Sequence, residues 1–225
     1  YLGRKASTAQ AAIAGNNPLD LTITNIHPAI EGNPSPFQGR YPCGSLVHNG
    51  VWYYGTYSLT NSGQCGGVGW TESGPFVGFR ISYDYGKSWI ETNHNPGNPL
   101  FGENPENANI KIGSPHFVDF GKNMMYSPDG YAYLAAHGSE DSLSCNNWIQ
   151  GDDIFLIRVI PSPDNINNRN AYEFYAGKDE MGNPVWSKDF SSIKPLIKWK
   201  EKLGCVTITY NPGLKKYMKC ITRGY

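Results

Sequence analysis

Apolar and polar residues alternate along this chain in short runs, broken every few positions by Gly, Pro, Asn or Asp. A period of two, rich in β-branched and aromatic residues, marks half-buried strands rather than helices. Residues 19–24 form the first such run. Residues 45–57 follow, with Asn49-Gly50 between two β-rich halves, the strongest short hairpin signal. A second hairpin is predicted from 76–81 to 88–90, and a third from 114 to 138. Residues 153–160 read as a strong apolar strand stopped by Pro161, and 172–176 and 184–188 as shorter strands. Residues 205–210 and 216–222 form a last hairpin around Asn211-Pro212-Gly213. Residues 193–202 offer the one short helix, which Pro195 interrupts. The Gly-rich stretch 60–75 and the Asn/Pro/Gly-rich stretch 92–109 read as loops.

The third hairpin carries the sharpest chemical signal. Its turn contains Ser127-Pro128-Asp129-Gly130, with Pro and Gly where a tight turn wants them. Its first strand begins at His116 and its second ends at His137. In an antiparallel pair the start of one strand lies beside the end of the next, so the two histidines are expected together at the open end.

Composition agrees with a β-rich chain. Of 225 residues 39% are hydrophobic, enough for a sizeable core, and 15 Tyr with 26 Gly and 16 Pro favour strands and frequent reversals. Lys plus Arg and Asp plus Glu both number 19, so the net charge gives no pointer to nucleic acid or an anionic membrane. No apolar run is long enough for a transmembrane helix. Five cysteines, Cys43, Cys65, Cys145, Cys205 and Cys220, include no C-x-x-C pair and so give no zinc signature. Cys43 with Cys65, and Cys205 with Cys220, are candidate disulfides, which secretion would permit; five reduced thiols are the alternative. Both termini read as interrupted β structure, which suggests a fragment of a longer protein.

Strand density and hairpins every 50–60 residues or so suit an all-β sandwich or propeller. Ser82-Tyr83-Asp84-Tyr85-Gly86-Lys87-Ser88-Trp89 fits S-x-D-x-G-x-x-W and resembles the Asp box of sialidase-like propellers. In such a turn Asp84 accepts backbone N–H groups, Gly86 takes a positive φ, and Trp89 packs underneath. The role is structural, so Asp84 is no catalytic candidate. The resemblance implies a single propeller domain over residues 1–225, with about four blades here and about five to seven in a complete protein.

The two histidines on adjoining strands resemble those of propeller polysaccharide lyases, of the ulvan and rhamnose–glucuronate types. In those families paired histidines, with a Tyr and an Arg, neutralise a uronate carboxylate and move the proton for β-elimination. The stretch from Phe37 to Met124 also resembles an uncharacterised secreted propeller family of fungi and bacteria. These likenesses imply a secreted enzyme acting on an extracellular uronic-acid polysaccharide or oligosaccharide. They put His116 and His137 in catalytic roles, with Arg40 or Arg80 beside them. Tyr41, Lys122 and Trp148 are candidate substrate contacts, and Tyr54 a further stacking residue. His27, His48 and His94 read as inert.

Two other function classes stay open. A glycoside hydrolase needs two carboxyl groups. Asp119 and Asp152 are the better candidates because each lies near a strand end, with Glu140 and Asp153 close in sequence. A non-catalytic glycan-binding propeller would use exposed aromatics instead. No cofactor is called for, although His116, His137 and a nearby Asp could hold one structural cation.

Overall fold

The alternating runs fold as strands, and no α-helix occurs among the described residues. The computed structural model describes residues 2–5, 22–25, 37–60, 75–103, 110–141, 146–147 and 150–222, with backbone alone at 2–5, 22–25, 37–39 and 60. Contacts divide the chain into two compact units, residues 1–32 and 33–225. In the first, β1 (Leu2–Lys5) pairs antiparallel with β2 (Thr22–Asn25).

Among its described residues the second unit holds three sheets. β3 (Phe37–His48), β4 (Val51–Thr60) and β5 (Phe76–Ser82) form an antiparallel meander. β6 (His116–Phe117), β7 (Ala132–Gly138), β8 (Asp153–Val159), β9 (Glu173–Lys178) and β10 (Pro184–Ser187) form another in chain order. β11 (Ile197–Lys198) pairs with the start of β8, so residues 193–202 are not the helix considered from sequence. Pro195 forbids a continuous turn of helix, and Ile197 instead lies opposite Ile154. β12 (Val206–Asn211) and β13 (Lys216–Ile221) make the last hairpin. All these sheets are open.

Two apolar cores explain why β7 and β8 read as nearly continuous apolar runs. Leu134 and Ala136 face a large core shared with Tyr53, Phe79, Phe101, Ile157 and Phe174. Ala135, Ile154, Leu203 and Val206 form a second core on the opposite side. Strands buried on both faces lose the alternation of a half-exposed strand.

The first strands of the three sheets lie side by side. Gly44 N donates to Pro115 O at 2.7 Å, and Asp119 N to Ile208 O at 2.8 Å. Asp119 and Thr209 bridge in parallel. Asn49 N donates to Asn123 Oδ1 at 2.6 Å, and Asn123 Nδ2 returns a bond to Asn49 Oδ1 at 3.0 Å. The turns after β3, β6 and β12 therefore share one end, here the turn end. The start of β6 and the end of β7, with both histidines, define the other, here the histidine end.

The expected Cys205–Cys220 bridge is not formed, and Cys220 is an exposed thiol. Thr207 lies opposite Cys220, while Thr222 N bonds Cys205 O. The cysteines are thus diagonal neighbours, whose separation of roughly 7–8 Å exceeds the usual reach of a disulfide. Cys43 lies in the large core, while Cys65, Cys145 and His27 fall outside the described residues.

Candidate functional site

The backbone register brings the two histidines together. His116 pairs with Ala135, and His137 stands two residues further along the same strand. Directly paired residues and residues two apart share a face. His116, Ala135 and His137 therefore share the face turned away from the large core, on which Phe117 packs.

The two side chains have different surroundings. His137 is 0% exposed, and its Nε2–H donates to the Asn147 carbonyl at 2.9 Å. A carbonyl only accepts, so this bond places the proton on Nε2 and fixes the ring. His116 is half-buried, and its Nε2 lies 3.2 Å from Ser114 Oγ. A half-buried imidazole can meet a ligand; a fully enclosed one acts by holding its neighbours.

Segments distant in sequence wall this end. Gly113 N donates to His137 O, Ser139 N to Ile110 O, and Asp152 N to Gly138 O. A Cβ at Gly138 would meet Ile110 O at 2.6 Å and overlap Lys111 O, so the close approach of residues 110–111 requires glycine there. Asp152 is half-buried and accepts from Ser139 Oγ at 3.3 Å and Glu201 N at 2.8 Å. Burial pushes the Asp153 carboxyl up, although Glu140 N donates to it at 2.9 Å. Glu140 itself pairs with Lys198 at 2.6 Å.

Glu103, which the sequence reading leaves in a loop, belongs to this wall. It is buried, and its carboxylate accepts from Lys111 N at 2.7 Å and Ile112 N at 3.2 Å. Burial pushes its pKa up to about 7 against those two bonds.

The other candidates separate along the strands. Arg40 lies toward the histidine end, four residues beyond the Gly44–Pro115 contact, or about 13 Å at strand rise. Its Nη2 donates to Thr56 Oγ1 at 3.1 Å, and burial lowers its pKa to about 10. Arg80 is only 5% exposed, ion-paired through Nε with Glu91 at 2.8 Å, and set 5.2 Å from the Trp89 ring. Tyr41 packs on Tyr57 with ring centroids 5.9 Å apart. Tyr54 likewise lies against Trp89, at 5.7 Å.

Asp119 and Lys122 are exposed at the turn end, where Asp119 accepts from Gly121 N at 2.8 Å. β7 spans the gap to Asp152, about 20 Å at strand rise. Inverting glycosidases place their carboxyl groups roughly 6.5–9.5 Å apart, so Asp119 and Asp152 are not brought together as a working pair. Trp148 lies outside the described residues. Among those residues no group of three His, Cys, Asp or Glu is placed to hold a metal ion.

His94 is held by two backbone carbonyls, at 3.0 Å from Asn167 and 3.3 Å from Asn98. His48 lies beside Asn49 at the turn end, 3.0 Å from its Nδ2.

The turn over 82–89 has the local geometry its residues imply. Asp84 accepts from Ser88 N at 2.9 Å and Ser88 Oγ at 2.6 Å, and Ser82 Oγ accepts from Gly86 N at 2.8 Å. Gly86 has φ 85, and Trp89 packs on Trp52 with centroids 5.1 Å apart. These side chains serve one another, away from the histidines.

No family model and no curated protein matches the chain. One solved structure that aligns with part of the chain is from Bacteroides ovatus ATCC 8483, described as "a putative hydrolase". It aligns with a TM-score of 0.35 and 10% identity over 75% of this chain. The chain spans 35% of that protein's length.

Proposed function

We propose that the protein is a carbohydrate-active β-propeller that cleaves an extracellular uronic-acid polysaccharide by β-elimination. One observation carries this reading: a half-buried His116 beside a fully enclosed, carbonyl-anchored His137 on one sheet face. The side-by-side first strands support the propeller, because blades around an axis juxtapose their inner strands. His116 is the base that takes the proton α to the carboxylate. Those electrons form a double bond to the neighbouring carbon as its bond to the glycosidic oxygen breaks, and the leaving oxygen takes the proton that His116 has accepted. Neutralising the carboxylate makes that proton acidic enough to remove. Arg40, nearer the rim, would meet the carboxylate of a neighbouring unit. His137 positions residues 146–147 and the strand bearing it.

The test is incubation with polygalacturonate and glucuronate-containing polymers, followed by absorbance near ~235 nm from the unsaturated product. His116→Ala is expected to lower turnover by about 10²–10⁴-fold, the usual share of a general base. Full turnover in that variant would sink the assignment.

A second reading is hydrolysis, favoured by the gathering of Asp152, Asp153 and Glu140 at the histidine end. It requires reducing ends without the absorbance, and their loss in Asp152→Asn.

A further inference from the structure

The segment after β11 bears a tryptophan that stands largely in water. Among the described residues, Trp52, Trp89 and Trp186 each lie against other aromatic rings. Trp199 makes no such contact with another ring of the described residues and is 56% exposed. Leaving so much indole in water forgoes burial worth about 1–2 kcal/mol, so the ring does little for the fold.

Its support is well fixed. Trp199 N donates to Asp152 O at 2.8 Å, Lys202 N to Trp199 O at 3.1 Å, and Leu203 N to Gly151 O at 2.9 Å. Glu201 N donates to Asp152 Oδ1 at 2.8 Å, and Lys198 Nζ to Glu140 at 2.6 Å. Leu196 N donates to Ile154 O at 2.7 Å on one side, and Leu203 is fully buried on the other. The arch from 196 to 203 is therefore tied at both ends and in the middle. It stands at the histidine end, because β11 pairs with Asp153 and Ile154. Lys194, Lys198, Lys200 and Lys202 lie on or next to it. Of the carboxylates there, Glu140 is taken up by Lys198, and Asp152 accepts from Ser139 Oγ and Glu201 N. Asp153 lies beside Lys198, and Glu201 is on the arch itself, so Lys200 and Lys202 are the cations left to meet a ligand.

We propose that Trp199 is a stacking platform for acidic oligosaccharides, with Lys200 and Lys202 reading the negative charge. The indole face offers apolar area to the C–H face of a pyranose ring, and a pinned arch avoids the ordering cost of a loose loop. The surrounding lysines select sugars bearing carboxylates over neutral ones. The site rests on the uronate reading for its ligand class, but binding here does not require elimination to occur.

Calorimetric titration with oligogalacturonates and, separately, with neutral cello-oligosaccharides tests it. The protein is expected to bind the acidic set and to prefer it over the neutral one. Trp199→Ala should weaken that binding about tenfold or more without changing Tm, as for a central aromatic contact. Trp199→Phe should retain most of the affinity. A Lys200→Ala/Lys202→Ala double variant should lose both the acidic preference and much of its salt dependence. Unchanged affinity in Trp199→Ala overturns the proposal, as does wild-type protein that binds no oligogalacturonate, or a Tm drop in Trp199→Ala that accounts for the lost binding. Binding without any unsaturated product would sink the elimination reading and leave this platform standing.

Discussion

The turn end and the histidine end of the second unit solve the same problem in different ways. At the turn end most reversals are closed by their own neighbours, the paired Asn49 and Asn123 aside. Asp129 Oδ1 accepts from Tyr131 N at 3.2 Å, Asn211 Oδ1 from Leu214 N at 2.9 Å, and Asp84 from Ser88 N at 2.9 Å. Such side-chain caps satisfy backbone groups within a few residues. At the histidine end partners come from afar: residues 103, 110–113, 137–141, 146–147, 150–153 and 196–203 meet there. Their polar groups are satisfied only once the sheets have assembled, and burial shifts the carboxyl groups of Glu103 and Asp153 upward. Groups tuned by burial are the ones that chemistry can use, so the end assembled from afar is the better place for a site.

The contrast can be broken most directly at Gly138. Its Cβ would overlap backbone that has nowhere to move, so Gly138→Ala should cost about 3 kcal/mol, as in a strongly overpacked core. Urea unfolding measures it, and a cost near zero would mean that residues 110–111 are not held against β7.

Glu103 gives a similar effect with a pH signature. Its folded pKa of about 7 lies above its unfolded 4.5, so the folded protein keeps a proton that the unfolded chain has lost. The contribution of this group to stability is full below 4.5 and is lost as pH rises through about 7, a loss on the order of 3 kcal/mol. Glu103→Gln should flatten that fall. Parallel curves for both proteins between pH 4.5 and 8 would show that the carboxyl is not enclosed.

The smallest effect is expected at the turn end. Hydrogen bonds, chiefly from Ser88, hold the Asp84 carboxyl down to about 2. Its contribution is therefore present above the ordinary carboxylate range and lost as pH falls toward 2. Asp84→Ala should lower Tm slightly at neutral pH, reduce the acid sensitivity, and leave turnover unchanged. A loss of turnover would mean that the two ends are coupled.

The difference between the ends also marks how much was legible. The Asn49-Gly50 hairpin, the 82–89 turn and the β12–β13 hairpin each follow from residues within a few positions of each other. The proximity of His116 and His137 follows too, since a single hairpin register delivers it. Their unequal exposure does not, because it depends on Asn147 and the 110–113 segment. Arg80 is a plausible ligand-binding cation in sequence, but Glu91 and Trp89 enclose it. Trp199 is masked in sequence by a run that could be helix, although its place between Lys198 and Lys200 was a usable signal.

The sequence by itself determined the β class, most strand positions and the local turns, because period-two alternation and Asx-Gly chemistry act over a few residues. The tertiary structure alone decided which end of each strand meets which. It set Asp119 and Asp152 about a strand's length apart, enclosed His137, raised Glu103 and left Trp199 in water. Burial and long-range contact create those properties, and neither is written in any one stretch of the chain.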